Sequence, residues 1–171
     1  MANKPSKKIK RRGNPSPSSE AALKRMQAAK PRDTAPEKAL RSVLHRKGLR
    51  FRTDEKPIKN INRKADIIFR SAKVAVFIDG CFWHGCPIHG TRAKANAKFW
   101  QNKIEQNQAR DLDTNMQLRK AGWKVVRVWE HEDLEKASRK IYNLVGKRTN
   151  YVSSSPTRAS SRRAPLRSAR G

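Results

Sequence analysis

The residues able to do metal and acid–base chemistry crowd into one short stretch. The run Phe77-Ile78-Asp79-Gly80-Cys81-Phe82-Trp83-His84-Gly85-Cys86-Pro87-Ile88-His89 holds both cysteines of the chain and two of its four histidines. Cys81-x4-Cys86-x2-His89 offers three soft or borderline ligands, and His131 supplies a fourth further along. Two thiolates and two imidazoles suit a tetrahedral zinc ion. With all four positions filled by protein the ion would be structural, and its binding energy would be folding energy. The spacing also admits Cys81-x2-His84, which would put His84 in place of His89. Free buried thiols with surface histidines are the plain alternative.

Carboxylates stand close by in the sequence. Asp66 enters the apolar run Ile67-Ile68-Phe69, a costly place for a charge unless it is paired or binds a cation. Asp79 ends the next apolar run, and a hairpin between the two runs would bring these acids together. Hard oxygen ligands on neighbouring strands suit Mg²⁺. Each acid could instead be a solvated edge residue, and Glu37 has a complete explanation as a helix cap. If zinc takes Cys81, Cys86, His89 and His131, His84 is left free to act as a general base or acid near neutral pH. Phe82 and Trp83 sit on a polar loop flanked by glycines, where aromatics can stack on bases or wedge between them. Packing under the loop is the competing use for them.

These groups need a scaffold to hold them, and the hydrophobic pattern outlines one. Ala21 to Lys30 is a short helical candidate. Thr34-Ala35-Pro36-Glu37 has the form of a helix start, with Leu40, Val43 and Leu44 as its apolar face and Gly48 as its stop. Leu49 to Thr53 alternates as a half-buried strand does. Ala65–Phe69 and Lys73–Asp79 form a hairpin. Asn96 to Lys120 is a long helix, with Trp100, Ile104, Leu112 and Met116 at fourfold spacing. Trp123 to Glu130 is an alternating strand, and Glu132 to Val145 a closing helix. The order predicts an α/β domain with a small mixed sheet of three or four strands and helices on both faces.

The 171 residues amount to one domain plus tails. Net charge is +27, from 41 Lys and Arg against 14 Asp and Glu. Self-repulsion of that size disfavours a compact chain unless a polyanion compensates, and nucleic acid is the commonest one. Residues 1–20 and 146–171 are basic, rich in Ser and Pro, and poor in apolar side chains. They are expected to be disordered tails around a folded domain over 21–145. The domain keeps a surplus of basic residues of its own. No apolar run reaches the ~20 residues of a membrane span, no lipidation motif or signal peptide is visible, and a reducing cytoplasm is expected. Two cysteines there are metal ligands or free thiols more often than a disulfide.

Taken together the residues resemble the very-short-patch repair (Vsr) endonucleases, which nick DNA beside a T:G mismatch. The resemblance covers about residues 23 to 131. It is carried by Arg32-Asp33-Thr34-Ala35-Pro36-Glu37, Gly48-Leu49-Arg50-Phe51-Arg52, Ala65-Asp66-Ile67, Asp79-Gly80-Cys81-Phe82-Trp83-His84-Gly85-Cys86, Phe99-Trp100-x2-Lys103-Ile104-x2-Asn107-x2-Arg110-Asp111 and Gly122-Trp123-x6-Glu130. It implies a restriction-endonuclease-like α/β fold, a structural Zn²⁺ and a Mg²⁺-dependent site. By position, Asp66 matches the catalytic metal-binding aspartate and the Ile78 carbonyl a main-chain metal ligand. His84 matches the catalytic histidine, and Glu37 the glutamate near it. Phe82, Trp83 and Trp100 match aromatics that wedge into DNA, with Met26 a further candidate from the N-terminal helix.

The chain departs from that pattern in places. The zinc loop reads Cys-x4-Cys-x2-His where some members have Cys-x4-His-x-Cys. His131 stands where a cysteine often follows Trp-Glu. Asp79 occupies a position where a histidine also occurs, so metal ligation and a supporting catalytic role are both open to it. Ala65 replaces the usual proline. The expectation is a Mg²⁺-dependent endonuclease nicking one strand of mismatched double-stranded DNA, acting as a monomer, with mismatch-repair proteins as further partners. The rivals are a non-catalytic, zinc-stabilised DNA-binding protein and a related nuclease serving restriction or general mismatch cleavage.

Overall fold

A computed structural model describes residues 19–20, 23–24, 27, 32–91 and 93–154. Helix α1 (Ala35–Arg46) leads to the strands β1 (Ile67–Phe69) and β2 (Val74–Asp79). The long helix α2 (Ala97–Lys120), strand β3 (Lys124–Trp129) and helix α3 (Leu134–Ser154) follow. The sheet order is β1-β2-β3, antiparallel between the first pair and parallel between the second. The fold is therefore the small mixed α/β arrangement expected, and α2 makes the crossover that a parallel pair requires. Of the N-terminal helical candidate, Leu23, Lys24 and Gln27 are helical, as is Glu20 just before it, while most of the segment, Met26 included, lies outside the described residues.

Strand alternation divides the core between the two faces. Ile67, Phe69, Val74, Val76, Val126 and Val128 pack against Leu40 and Leu44 of α1 and against Ala137, Ile141 and Val145 of α3. Ile68, Ala75 and Phe77 face the other way, onto Leu118 of α2 and Trp123. The hairpin register pairs Ile67 with Val76, so β1 and β2 present the same parity to each face. β2 is buried on both faces and carries its one acid, Asp79, at its C-terminal end. That end of the sheet is where side chains from α1, α2 and β3 converge.

Three elements differ from the sequence reading. Leu49 to Thr53 is not a strand. It contributes one bridge, Arg52 to Ile68, before the chain turns at Asp54, whose φ is +51°. The closing helix begins at Leu134, because the Asp133 carboxylate accepts the Lys136 N–H at 2.7 Å and so caps it. It also runs past Val145 to Ser154, held by Arg148, which donates to the carbonyls of Ala72 (2.6 Å) and Gly122 (2.9 Å). The third is α2, whose apolar spacing does not continue as a buried stripe. Leu112 and Met116 are 71% and 50% exposed, whereas the residues turned inward are Ile104, Asn107, Asp111, Thr114, Asn115 and Leu118. That stripe has helical spacing but is largely polar, because its middle lines a polar site.

Candidate active site

Asp66 precedes β1 at the point where its ladder with β2 stops. Its Oδ2 accepts the Ile78 N–H at 2.7 Å, filling the place where the next strand hydrogen bond would fall. In an extended strand the N–H and C=O of one residue point to the same edge. The Asp79 carbonyl accepts the Glu130 N–H on the β3 side, so Ile78 directs both its groups toward Asp66. Burial raises the Asp66 carboxyl from 3.8 to about 6. The Ile78 N–H and the charge of Arg41 oppose the rise, and the charges of Glu37 and Asp79 add to it. A carboxylate held in this way gains from a cation.

Glu37 is buried on α1 and fully engaged. It accepts the Asp33 N–H (2.9 Å) and the Thr34 hydroxyl (2.9 Å) and pairs with Arg41 at 2.8 Å. Reaching back to Asp33 rather than to Thr34 makes it a variant of the expected cap. Its effect on the site is electrostatic, through Asp66.

On the other side of Asp79 lies His84. Its Nδ1 is 2.6 Å from Oδ2 of Asp111 on α2 and 3.6 Å from Oδ1 of Asp79. Burial disfavours the imidazolium. The hydrogen bond to Asp111 and the charges of Asp79 and Asp111 outweigh it and hold His84 above its usual pKa, against the repulsion of Arg127. The same contacts, with Arg127, hold Asp111 below the ordinary carboxylate range despite its partial burial. Asp79 is bound at both oxygens by Arg127, through Nε and Nη2 at 2.6 Å each. Asp66 and His84 thus share one end of the sheet, with Asp79 between them.

The loop from Cys81 is tied down by its neighbours. Glu130 accepts the Cys81 N–H at 2.7 Å, and the carbonyls of Trp83 and His84 accept from Asn107 (2.8 Å) and Gln108 (3.1 Å) of α2. Gly85 has φ +64°, and a Cβ there would stand 2.8 Å from Ile104 Cγ2 and 2.6 Å from Gln108 Nε2, so only glycine lets the loop lie this close to α2. Cys81, Cys86, His89 and His131 place one ligand atom each within 4.8 Å of one another. Cys81 Sγ lies 3.0 Å from His131 Nδ1, and the His89 and His131 rings are 4.2 Å apart. The structure therefore groups His89, not His84, with the two sulfurs. Both thiols and both imidazoles are of the type and number that a tetrahedral zinc site uses.

Phe82, Trp83 and Trp100 form an edge-to-face cluster, with ring centroids 5.2 to 5.7 Å apart. Trp83 is 42% exposed, and Phe99 extends the cluster from behind Trp100 at 5.1 Å. Trp83 is thus the exposed ring of the cluster, next to His84 in the chain, while Phe82 and Trp100 are half-buried beneath it.

The signature of the family described as DNA mismatch endonuclease Vsr matches residues 18–89. The type II nicking enzyme V.NaeI of Lentzea aerocolonigenes is 46% identical over 125 residues, spanning 72% of this chain and 75% of that protein. This chain belongs to the Vsr family of DNA endonucleases. The type II nicking enzyme V.XorIIP of Xanthomonas oryzae pv. oryzae is 40% identical over 124 residues, 70% of this chain and 88% of that relative. The DNA mismatch endonuclease Vsr of Escherichia coli is 35% identical over 108 residues, 63% and 67% of the two chains.

Several residues of this Vsr-family site were given no role from sequence, although Asn107, Asp111 and Glu130 stand in the motifs that carry the resemblance. Asp111 and Asn107 belong to the inward polar stripe of α2, with the exposed Gln108 beside it, and their signal was a run of polar residues at helical spacing. Arg127 stands in an alternating strand at a position that should be apolar, with Val125 before it and Trp129 after it. Glu130, just past that strand, holds the loop through one backbone amide.

Proposed function

We propose that this endonuclease nicks one strand of duplex DNA at or beside a T:G mismatch in very-short-patch repair. The reaction would need Mg²⁺, with Zn²⁺ held by Cys81, Cys86, His89 and His131 clamping the loop to the end of β3. The observation that carries this reading is Asp66, a carboxylate raised to about 6 and aligned with the main chain of Ile78 at the sheet end that also holds His84.

Asp66 and the Ile78 carbonyl would hold Mg²⁺. Bound there, the ion supplies electrostatic stabilisation of the charge that develops on the scissile phosphate. His84 has its Nδ1 committed to Asp111, which leaves Nε2 to take or steer a proton of the attacking water. Water adds to phosphorus and the P–O3′ bond breaks, giving a 5′-phosphate and a 3′-hydroxyl. Glu37 sets the charge felt by Asp66, and Asp79 with Arg127 frames His84. Phe82, Trp83 and Trp100, with Met26 from the N-terminal segment, would wedge where the base pair is weakest, so that cheap unstacking selects the mismatch. Surplus basic charge gives salt-sensitive affinity without sequence reading. The enzyme would act as a monomer on cytoplasmic DNA alongside mismatch-repair proteins.

A second reading keeps the chemistry and changes its setting. The relatives named type II nicking enzymes favour service beside a restriction system. Incubating the protein with a panel of matched and mismatched duplexes, with Mg²⁺ and with EDTA, tests the proposal. Mg²⁺-dependent nicks confined to T:G duplexes support it. Equal nicking of all mismatches, or nicking in EDTA, defeats it.

A further inference from the structure

The end of the sheet opposite the active site is built from cations. Arg119 of α2, Gly122 and Trp123 of the turn after it, Lys124 and Val125 of β3, and Arg148 of α3 line an open cavity of about 650 Å³. None of these residues is an acid. Lys120 ends α2 beside Arg119. The Lys124 N–H donates to the Lys73 carbonyl at 2.9 Å, which brings a lysine of the β1–β2 turn alongside. Among the described residues, the side chains of Lys73, Arg119, Lys120 and Lys124 have no hydrogen-bond or ion-pair partner. Arg148 is half-buried and donates only to carbonyls, from Nε to Ala72 at 2.6 Å and from Nη2 to Gly122 at 2.9 Å. It is held in place while its charge meets no carboxylate. By contrast, Arg32, Arg41, Lys47, Arg52, Lys64 and Arg70 each pair with an acid. The negative end of α2 explains a cation at Arg119 or Lys120. It does not explain why three elements bring cations to one cavity that holds no anion of its own.

We propose that this cavity is a second DNA site, which seats the phosphate backbone of a duplex segment other than the one being nicked. The proposal rests on the reading that the catalytic end takes duplex DNA. Asp79 and Trp129 end β2 and β3 at the active site, whereas Val74 and Lys124 begin them at the cavity. Six residues in each strand separate the two ends by about 17–20 Å. A duplex lying across the catalytic end would have to fold back on itself to reach the cavity. With a persistence length of about 150 bp, DNA does not do so within a short site. The occupant is therefore a separate segment, either a second duplex or a remote stretch of the same molecule. The charged groups on the cavity are all donors, which suits phosphate oxygens and carries no sequence reading. A protein that holds two segments at once passes from one to the other without full release, which shortens the search for a rare target.

The test loads the full chain, in EDTA, with one equivalent of a T:G duplex in one colour and adds a short matched duplex in a second colour. Complexes that carry both colours are scored by fluorescence cross-correlation. Wild type is expected to take up the matched duplex on top of the T:G duplex. Arg119→Gln/Lys124→Gln should weaken that second uptake at least about tenfold and lower its log–log salt slope by about 2, roughly one per lost phosphate contact. Both side chains are exposed, so the fold should hold. Binding of the T:G duplex and its single-turnover nicking in Mg²⁺ should stay within about twofold of wild type, because neither residue reaches the catalytic end. Wild type that forms no two-colour complex overturns the proposal. So does a double variant that takes up the second duplex as well as wild type, which would assign it to other cations of the chain. A variant whose T:G nicking falls in step with the second uptake also overturns it, by placing these cations on the first duplex. Wild type that binds no T:G duplex at all instead overturns the reading beneath it.

Discussion

Replacing Asp66 by asparagine should make the metal-free protein more stable while ending its activity. The folded pKa of about 6 stands against an ordinary 3.8. At 1.36 kcal/mol per pKa unit that difference amounts to roughly 3 kcal/mol of strain in the ionised form. Partial exposure of Asp66 and the new amide N–H₂ reduce the expected gain to about 2 kcal/mol. Because the folded pKa is raised, the native state keeps a proton that the unfolded chain has already released. Stability from this group is therefore present below pH ~4, falls as pH rises to about 6, and stays lost above that. Asparagine carries no such proton and still offers an oxygen to the Ile78 N–H. In EDTA at pH 8 the variant should melt higher by roughly 5–10 °C, with the difference vanishing below pH ~4. Its nicking in Mg²⁺ should fall by at least about 10³-fold, the scale of several kcal/mol of charge stabilisation. Thermal unfolding across pH 3.5 to 8.5, paired with a nicking assay, measures both. A variant equal to or less stable than wild type at pH 8 would show that Asp66 is not strained, and would remove the physical reason for a cation there.

Other outcomes follow from the same geometry. Trp83→Ala should lower the preference for mismatched over matched duplex about tenfold while leaving the fold intact, given its exposed position, and an unchanged binding ratio would assign the ring to packing. A chromogenic chelator should release one equivalent of zinc from wild type and none from Cys86→Ser, which should unfold on the order of 3 kcal/mol more readily; equal zinc release from both would remove Cys86 from the cluster. Gly85→Ala should cost about 1–3 kcal/mol by denaturant titration and slow nicking, because the new methyl meets Ile104 and Gln108; full stability would mean that the loop does not lie on α2 as described.

Much of this arrangement was legible in the chain, and what was missed has a common cause. The hairpin, β3 and α2 declare themselves through local periodicity, and Cys81, Cys86, His89 and His131 through residue type. The sequence marked α2 as a helix from four apolar residues at fourfold spacing, but of these only Trp100 and Ile104 are half-buried, while Leu112 and Met116 are exposed. The side of the helix toward the loop had to be polar in order to present Asn107 and Asp111, with the exposed Gln108 at its edge. Arg127 was invisible for a related reason. An arginine between Val125 and Trp129 on one side of a strand reads as a break in the pattern, and only the fold brings Asp79 and Asp111 from two other elements to meet it. Glu37 was read correctly as a cap, although its reach to Asp33 depends on a residue with φ +56°. Leu49–Thr53 alternates as a strand should but is offered one partner residue, Ile68, before the turn at Asp54.

The central claim is that Asp66 and His84 serve a hydrated-cation site at one end of the sheet. It is tested most directly by Mn²⁺ anomalous scattering from crystals of the enzyme with a nicked T:G duplex. The account predicts a Mn²⁺ peak about 2.1 Å from Asp66 and the Ile78 carbonyl, with His84 Nε2 facing the cleaved phosphate. A manganese peak on Asp79 and Asp111, or a cleaved phosphate remote from His84, would contradict it.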